Sequence, residues 1–454
     1  MALPKSSQTS VGAFSELFQY TYADVIIKLL DTVDDVEKWI DSVNQEDWNG
    51  GDSNYYLYKT AEGSGSRFVA GGPGASAPVL PTYNPPSYKE AMVRLFPHMD
   101  IVEITGPKLI RAHEKPGMYR QIMDELVSDA KNSHRNRVGP KYWGGTAGGA
   151  VGATVAGTSN TNSGVLALVK TGVTGTQVVF KQRECDGGLT NTKTYMEDYA
   201  GCRYIRPGMQ LQIGTATELE NNSGVVAIVS SVNQSTQTVT LDRSVTVVAN
   251  DFVVEGDANG NEWGNCITGL ADAINDDGTY HDIDRSTAEV WKSFIVRNNN
   301  TLRDFNHWRI TNLLMQMSDL GPKDIDEMDP VIFSHNSLLQ VYLQEIDPVY
   351  MQTDLKALKG HTTIAYQYGA RQIPWETARS APLNQYTIMD RSSMKRVKLG
   401  DYGWDTSTGS IFKQIPGTFA FQAYAYNEFE LVCENPRCQA REEDIRVPTG
   451  LIKV

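Results

Sequence analysis

The chain has 454 residues, of which 40% are hydrophobic and 21% are charged, so it has room for two or three packed cores. The formal net charge of −13 argues against a protein that grips nucleic acid through a broad basic surface. No apolar run reaches the ~18 residues of a membrane-spanning helix, and the N-terminal segment lacks the apolar core of a signal peptide. The five cysteines are too sparse for a disulfide framework, which favours a reducing compartment: Cys185, Cys202, Cys266, Cys433 and Cys438.

Two contrasting segments open the chain. Apolar residues recur at helical spacing over 13–44, and this pattern predicts an amphipathic arm that ends at Asn49-Gly50-Gly51. Residues 50–90 are different, because a strand-like run at 55–58 is followed by a stretch rich in glycine, serine and proline. Such a stretch has few core residues and is long for a connection, so it predicts an extended, mobile excursion with a functional role.

A strand and a long helix are predicted next. Apolar residues indicate a strand over 99–111, and an apolar stripe that repeats every four residues predicts a helix over 116–136. Basic residues enrich its last turns, and Gly139-Pro140 is expected to stop it. The glycine-rich segment from Gly144 to Gly157 predicts a flexible hinge.

Residues 160–257 change to a β pattern. Short and partly alternating apolar runs are separated by Asn, Gly, Ser and Asp, as in strands joined by turns. The runs are VLALV, QVVF, MQLQI, VVAIVSSV, QTVTL and DFVVEG. This pattern predicts a small all-β module inserted between the hinge and the segment that follows it.

From about residue 262 the pattern returns to mixed α/β. Ser286 and Glu289 have the spacing of a capping box before an apolar run, and Ser337 is the expected cap of a later helix. The further predicted elements are a helix at 304–319, strands at 330–334, 364–368 and 386–390, and a long strand at 418–432. The predicted fold class is therefore α+β with an inserted all-β module.

No catalytic signature is present in the sequence. There is no phosphate-binding P-loop, and the glycines at 144–152 lack the spacing and the preceding strand of a dinucleotide fingerprint. Cys433 and Cys438 supply at most half of a zinc site, because the other cysteines and the seven histidines are scattered singly. We therefore expect no catalytic residues, no cofactor and no metal site, and a protein that is not an enzyme.

Two charged clusters have simple interpretations. The acidic residues between Asp272 and Asp284 fail the ligand pattern of a calcium loop, since Ala273 stands at the first ligand position when Gly278 takes the glycine position. A solvated acidic turn is predicted there. The basic cluster predicts a solvated strand face, with a row of ion pairs between subunits as the alternative: Lys395, Arg396 and Lys398.

The order of these segments is more informative than any single motif. A helical arm, a Gly- and Pro-rich excursion, a long helix, a hinge, a β module, an α/β core and a late long strand follow one another. This order resembles the major capsid proteins of tailed bacteriophages, with their HK-ninety-seven-like fold. Four stretches carry the resemblance. The β insertion of one branch resembles YMEDYAGCRYIRPGMQLQI and VVAIVSSVNQSTQTVTLDRSVTVVANDFVVEGD. The start of the axial domain resembles ITGLADAINDDGTYHDIDRSTAEVWKS, and the returning C-terminal strand resembles AYAYNEFELVCENPRCQAREEDI.

The resemblance implies a division of the chain into six parts. They are an N-terminal arm (1–48), an extended loop (49–95), a peripheral domain with a spine helix (96–145), a hinge with a β-rich insertion domain (146–258), an axial domain (259–414) and a C-terminal strand returning to the peripheral domain (415–454). The extended loop is expected to lie across a neighbouring subunit. Its candidate contact residues are Tyr55, Tyr56, Tyr58, Lys59, Arg67 and Phe68.

The implied function is self-assembly into hexamers and pentamers that form an icosahedral head around double-stranded DNA, without sequence-specific binding. The implied partners are further copies of the chain, a separate scaffolding protein, a portal and an optional cement or decoration protein. The expected location is the virion, assembled in the bacterial host cytoplasm, and no membrane is expected. Some relatives join subunits by a Lys–Asn bond; Lys59 lies in the loop, but no motif identifies a partner for it.

Three alternatives are distinguishable in principle. An encapsulin-type shell has the same fold, but encapsulins usually lack the β insertion and the long arm. A mixed α/β enzyme with a β accessory domain needs a pocket with convergent polar groups, which no motif supplies. A tail or fibre protein should show internal repeats, and the sequence has none.

Overall fold

The structure is a computed structural model that describes residues 39, 45–48, 50–51, 54–61, 64, 82–106, 133–134, 136–145, 164–183, 201–298, 301–350, 364–369, 371–400, 403–405 and 413–447. Its strands are β1 (Gln45–Asp47), β2 (Asn54–Ala61), β3 (Ser87–Val93), β4 (Phe96–Thr105), β5 (Val165–Val169), β6 (Val173–Lys181), β7 (Gln210–Gly214), β8 (Val225–Asn233), β9 (Thr238–Val247), β10 (Phe252–Glu255), β11 (Thr279–Tyr280), β12 (Ile283–Asp284), β13 (Phe294–Val296), β14 (Pro330–Ser334), β15 (Ile364–Tyr368), β16 (Arg371–Thr377), β17 (Tyr386–Asp390), β18 (Met394–Lys398), β19 (Gly403–Trp404), β20 (Lys413–Gln414), β21 (Ala420–Cys433) and β22 (Ala440–Glu442). The helices bounded within the described residues are α1 (Ala216–Glu220), α2 (Leu270–Ala273), α3 (Trp308–Leu320) and α4 (Asn336–Tyr350), with 3-10 turns at Glu289–Trp291, Arg391–Ser393 and Pro436–Cys438. Residues 133–142 are also helical at every described position.

The long strand β21 organises the first six-stranded sheet, which we call the β21 sheet. Residues 420–429 pair with β4, while β19 and β20 also pair with β21. Residues 429–433 pair with β18, which in turn pairs with β1. Alternate side chains of β21 are buried on one face, as the period of a strand requires: Ala423, Ala425, Asn427, Phe429, Leu431 and Cys433. The strand predicted at 418–432 is thus confirmed with a shift of one to two residues.

A second six-stranded sheet, the β14 sheet, has the order β13-β22-β17-β14-β16-β15. Helices α3 and α4 share its hydrophobic core, in which the rings of Tyr342 and Trp375 stack with centroids 4.4 Å apart. Since β22 follows β21 after one 3-10 turn, the last part of the described chain joins the two sheets. Among the described residues, no helix is long and apolar enough to span a membrane.

Helix starts depart from their predicted positions because other polar groups bind the free N–H groups. The helix predicted at 304–319 begins at Trp308, whose N–H donates to Asn306 Oδ1 over 2.9 Å. Ser337 is not the cap of α4, since its own N–H donates to His335 Nδ1 over 3.2 Å. The capping box predicted at Ser286 is also wrong. The Ser286 N–H donates to Asp284 Oδ1 over 2.8 Å, and a single 3-10 turn follows.

The third unit is a closed barrel with the strand order β10-β5-β6-β9-β8-β7. Its interior is filled by apolar side chains from every strand, including Leu166, Phe180, Leu211, Val229 and Val253. Closure gives each strand a partner on both sides, so the barrel presents no unpaired strand edge. The short helix α1 begins with a complete capping box between Thr215 and Glu218.

The predicted N-terminal arm is described at one position, Trp39, and the rest of 13–44 lies outside the described residues. Trp39 is helical and buried, and its ring contacts that of Phe333 edge-on with centroids 5.1 Å apart. This position of the arm therefore packs into the core of its own chain.

We use the name junction helix for residues 133–142, which are helical at every described position. The prediction that Gly139-Pro140 stops this helix is wrong, because the helix continues to Tyr142. Tyr142 and Trp143 are buried in the core that also contains Ile267 and Phe429, and this burial outweighs the helix-breaking tendency of the two residues. The predicted helix at 116–132 lies outside the described residues.

The first two glycines of the predicted hinge are not a hinge. Gly144 and Gly145 are buried, and the Gly144 carbonyl accepts a hydrogen bond from the Ala271 N–H over 3.1 Å. The backbones approach so closely that a Cβ on Gly269 would lie 1.8 Å from the Gly144 oxygen. Glycine is required here for close packing, and residues 146–157 lie outside the described part.

We predict that Gly269→Ala lowers the free energy of unfolding by about 1–3 kcal/mol, because the new methyl group must push two backbones apart. Gly260→Ala is the matched control, since a Cβ there meets nothing within 4 Å. Urea unfolding of both variants measures the difference. Equal midpoints would contradict the close packing of the two segments.

Glu430 supplies a second prediction. Its side chain is fully buried, and Oε1 accepts a hydrogen bond from the Thr268 N–H over 2.8 Å. Burial raises the pKa of Glu430 well above its ordinary value, so the protonated form is favoured in the folded chain. As the pH rises above the unfolded-state pKa of ~4.3, the folded state therefore loses stability. Glu430→Gln should remove this loss, and urea unfolding across the pH range should show the variant gaining on the wild type; parallel pH profiles would contradict it.

Candidate functional site

The hairpin of β2 and β3 has two different faces. The register places Tyr56 opposite Ala91 and Tyr58 opposite Lys89, so these four side chains share one face, which we call the inner face. The alternate residues form the outer face: Tyr55, Leu57, Lys59, Tyr88, Glu90 and Met92. The two ends of the predicted excursion, 54–61 and 87–93, therefore pair with each other as the strands of a hairpin, and their backbone hydrogen bonds order them.

The inner face is fixed to the body of the same chain. The Tyr58 ring packs on Trp291 with centroids 4.4 Å apart, and burial raises the pKa of its hydroxyl above the ordinary value. Lys89 Nζ donates to Thr287 Oγ1 over 2.8 Å, and the Tyr56 hydroxyl donates to Glu46 Oε1 over 3.1 Å. The hairpin is thus held in place before any second molecule arrives.

The outer face presents large apolar side chains to solvent. Tyr55, Leu57 and Tyr88 are 63%, 69% and 55% exposed. A pair of backbone hydrogen bonds between Ser64 and Asn84, of 2.9 and 2.6 Å, links the two sides of the excursion further out. The outer face is therefore an exposed apolar surface on an ordered hairpin.

The six predicted contact residues have different positions. Tyr55 and Lys59 lie on the outer face, whereas Tyr56 and Tyr58 lie on the inner face and contact their own chain. Arg67 and Phe68 lie outside the described residues. Sequence alternation separates the two faces of a strand, but the sequence does not reveal which face meets the body.

The root of the hairpin is held by partly buried ion pairs. Lys395 Nζ lies 2.6 Å from Glu46 Oε2 and also pairs with Glu434, while Arg396 and Lys398 are buried. The prediction of a solvated basic face is therefore wrong. All three basic residues belong to β18, which pairs with β1 on one side and with β21 on the other. Their long side chains therefore lie over neighbouring strands and carboxylates of the same chain.

The acidic turn is solvated as predicted at Asp277, Asp282 and Asp284, which are exposed, but not at Asp272 and Asp276. Asp272 is buried with Oδ1 3.6 Å from Arg285 Nη1, and Asp276 Oδ1 lies 2.6 Å from Arg297 Nη2. The Arg297 guanidinium outweighs burial and holds the pKa of Asp276 below its ordinary value. These carboxylates therefore pair with arginines within the chain.

The junction helix is connected to its surroundings by two ion pairs. Lys141, which is buried, pairs with Glu262, and Arg137 Nε lies 2.9 Å from Glu255 Oε1 at the end of β10. Burial alone would lower the pKa of Lys141, but Glu262 and nearby acidic groups raise it above its ordinary value. The helix thus links the barrel to the segment at 262–272.

On its other side, the junction helix brings together groups that the sequence separates. His134 Nδ1 lies 2.8 Å from Asp100 Oδ2 and 3.1 Å from His98 Nε2, and the latter lies 3.5 Å from Asp100 Oδ2. Burial, and then His134, lower the pKa of His98 to about 3. These three groups could hold a metal ion. The interpretation of the histidines as singly scattered is wrong for this pair.

The cysteines show no such convergence in the described part of the chain. The four described cysteines, Cys202, Cys266, Cys433 and Cys438, are buried and form no disulfide bond with one another. Burial raises the pKa of Cys202 to about 12 and that of Cys438 to about 11, so both are held as neutral thiols. Cys185 lies outside the described residues.

Comparisons with known proteins give distant similarities to capsid structures. No protein-family model and no curated protein matches the sequence. The chain is similar to a chain of the cyanophage A-1(L) capsid asymmetric unit (12% identity, 87% of this chain and 88% of that chain, TM-score 0.44). It is also similar to chains in structures of Mycobacterium phage Bobi (7%, 89% and 89%, 0.40) and of the satellite phage P4 procapsid (8%, 98% and 99%, 0.39).

The two faces of the hairpin give a direct prediction for the unassembled chain. Tyr58→Ala should lower the local stability of the hairpin by roughly 1.5–3 kcal/mol, because it removes a buried aromatic contact. Amide hydrogen exchange at 54–61 and 87–93 should become correspondingly faster. Tyr55→Ala, on the outer face, should leave the exchange unchanged; equal effects of the two substitutions would contradict the assignment of the faces.

Proposed function

We propose that this chain is the major capsid protein of a tailed bacteriophage and that it builds the shell through the outer face of the β2–β3 hairpin. The observation that carries the proposal is that one face of the hairpin packs on its own chain while the other is exposed and apolar. Tyr58 fixes the inner face to Trp291, while Tyr55, Leu57 and Tyr88 point an apolar surface at solvent.

A second copy of the chain is the occupant that fits this surface best. A two-stranded hairpin is marginally stable alone and needs packing, and contiguous exposed apolar area marks an interaction site. Contacts between identical copies repeat by symmetry, so one modest patch stabilises a shell many times over. Docking of the inner face also reduces the conformational entropy that the hairpin loses when the outer face is covered.

The finer organisation is part of the same proposal. The hairpin belongs to the extended loop (49–95), the barrel to the insertion domain, and the β14 sheet, apart from β22, to the axial domain. Strands β4 and β21 and the junction helix belong to the peripheral part, and the β21 sheet also contains β18, β19 and β20 from the range 259–414. We infer that hexamers and pentamers of this chain form the head, with a scaffolding protein, a portal and an optional cement protein as further components. Lys59 joins Tyr55 as a candidate contact on the outer face.

Charge supports a container over a nucleic-acid-binding protein. With a net charge of −13, the chain would repel DNA over much of its surface, so we infer that subunit contacts hold the shell around double-stranded DNA. The closed barrel supports a phage head over an encapsulin-type shell, since encapsulins usually lack such an insertion. Assembly, and not a chemical step, is the proposed activity.

We predict that the triple substitution Tyr55→Ser, Leu57→Ser, Tyr88→Ser abolishes or strongly weakens assembly, because it removes the apolar outer face without touching the inner face. Sedimentation velocity and electron microscopy of the purified chain, with scaffolding protein where it is needed, measure shells and capsomers. The circular dichroism spectrum and the thermal midpoint of the unassembled chain should remain those of the wild type.

Val248→Ser is the matched control, because Val248 is a similarly exposed apolar side chain on the barrel. It should assemble like the wild type. Normal assembly of the triple variant would contradict the proposed role of the hairpin, and a wild-type chain that stays monomeric even with scaffolding protein would contradict the shell function.

A further inference from the structure

The cluster of His98, Asp100 and His134 lies between two elements that pack through it. His98 and Asp100 project from the same face of β4, two residues apart, and His134 belongs to the junction helix. Asp100 and His134 are buried, and His98 is largely buried. The three ligand-type atoms lie within 3.5 Å of one another.

With the Asp100 carboxylate ionised, no placement of protons on the two facing nitrogens satisfies all three of these contacts. If His134 Nδ1 carries a proton, it can donate to Asp100 Oδ2. His98 Nε2, 3.1 Å from His134 Nδ1, then has no hydrogen bond to it: a neutral Nε2 does not lie along the N–H direction, and a protonated Nε2 would place two N–H groups against each other. A proton on His98 Nε2 alone leaves a lone pair of His134 facing the carboxylate at 2.8 Å. Three converging lone pairs are instead what a cation requires.

The separations also suit a small divalent ion. A tetrahedral Zn²⁺ with bonds of ~2.0–2.1 Å holds its nitrogen and oxygen ligands roughly 3.3–3.4 Å apart. The observed separations of 2.8, 3.1 and 3.5 Å bracket that value, so small side-chain movements complete the geometry. Two imidazoles and one carboxylate with a fourth position for water form a familiar zinc ligand set.

The surroundings offer room and a hydrogen-bond acceptor for that water. A cavity of about 40 Å³ borders the cluster at His98, is also lined by Lys141 and Cys266, and is large enough for a water molecule. Asn427 stands directly opposite His98 in the β4–β21 ladder, is 5% exposed, and its Oδ1 has no hydrogen-bond partner. A water bound to the metal would supply the missing donor.

We propose that His98, Asp100 and His134 bind one Zn²⁺ through His98 Nε2, Asp100 Oδ2 and His134 Nδ1, with a bound water that donates to Asn427 Oδ1. The ion joins β4 to the junction helix, and its inferred role is to hold these two elements together. It stabilises the folded chain by mass action, because the unfolded chain does not hold these groups together. This site does not depend on the proposed function in assembly.

Zinc titration of the full-length, chelator-treated chain tests the proposal. Isothermal calorimetry and elemental analysis should give one Zn²⁺ per chain, and zinc should raise the thermal midpoint. His98→Asn and Asp100→Asn should each weaken binding by more than the roughly 10–100-fold that follows loss of an outer-shell partner. His307→Asn is the matched control, since His307 lies 3.1 Å from Glu345 in a pair that offers two ligands only.

The proposal is overturned if the wild type binds no stoichiometric zinc or if the triad variants bind it as tightly as the control. A second variant guards against misfolding. His98→Cys retains a ligand, so it should still bind Co²⁺, with the intense visible bands of tetrahedral coordination and an added thiolate charge-transfer band in the near ultraviolet. A folded His98→Cys chain that binds Co²⁺ without that band would place the ion elsewhere and overturn the site.

Discussion

The register of β21 is the constraint on which the rest of the molecule depends. Because side chains alternate along a strand, a slip of one residue would turn its whole buried face to the other side. The present register puts Phe429 and Leu431 into the central core, Asn427 beside His98, and Glu430 against the Thr268 N–H. The same ladder orders β4 on one edge and β18 on the other. The hairpin, the junction helix and the link to the second sheet all take their positions from it.

This arrangement explains how a small exposed apolar surface can make specific contacts with a second copy of the chain. The hairpin leaves the β21 sheet at β3, and Val93 at its base packs with Val397 and Val432 in the core of that sheet. The docked inner face therefore gives the outer face a fixed direction. A rigid surface loses less entropy on association than a mobile loop, so its exposed Tyr and Leu side chains can act together. In the proposed shell, the accuracy of subunit contacts comes from the fold behind the hairpin.

Much of the fold could be predicted from local patterns, whereas the buried polar chemistry could not. Short apolar runs located β14 and β17, and alternation located β21, because both patterns are properties of neighbouring residues. The charged run Arg441–Asp444 is buried at all four positions, with Glu442 bound by Arg303 and Arg309 over 2.8 and 3.0 Å. Likewise, Gly144 meets Gly269 only in three dimensions, and the His98–His134 contact joins positions that no spacing rule connects. Such pairings depend on the tertiary fold, and for that reason the sequence gives no local signal for them.

The most direct measurement of the central claim is a cryo-electron microscopy map of particles assembled from the purified chain. The account predicts closed shells in which the outer face of the hairpin, at Tyr55, Leu57 and Tyr88, is covered by a neighbouring subunit, while Tyr58 stays on Trp291 of its own chain. Shells in which that outer face remains in solvent, or a chain that forms no shells or capsomers with scaffolding protein present, would contradict it.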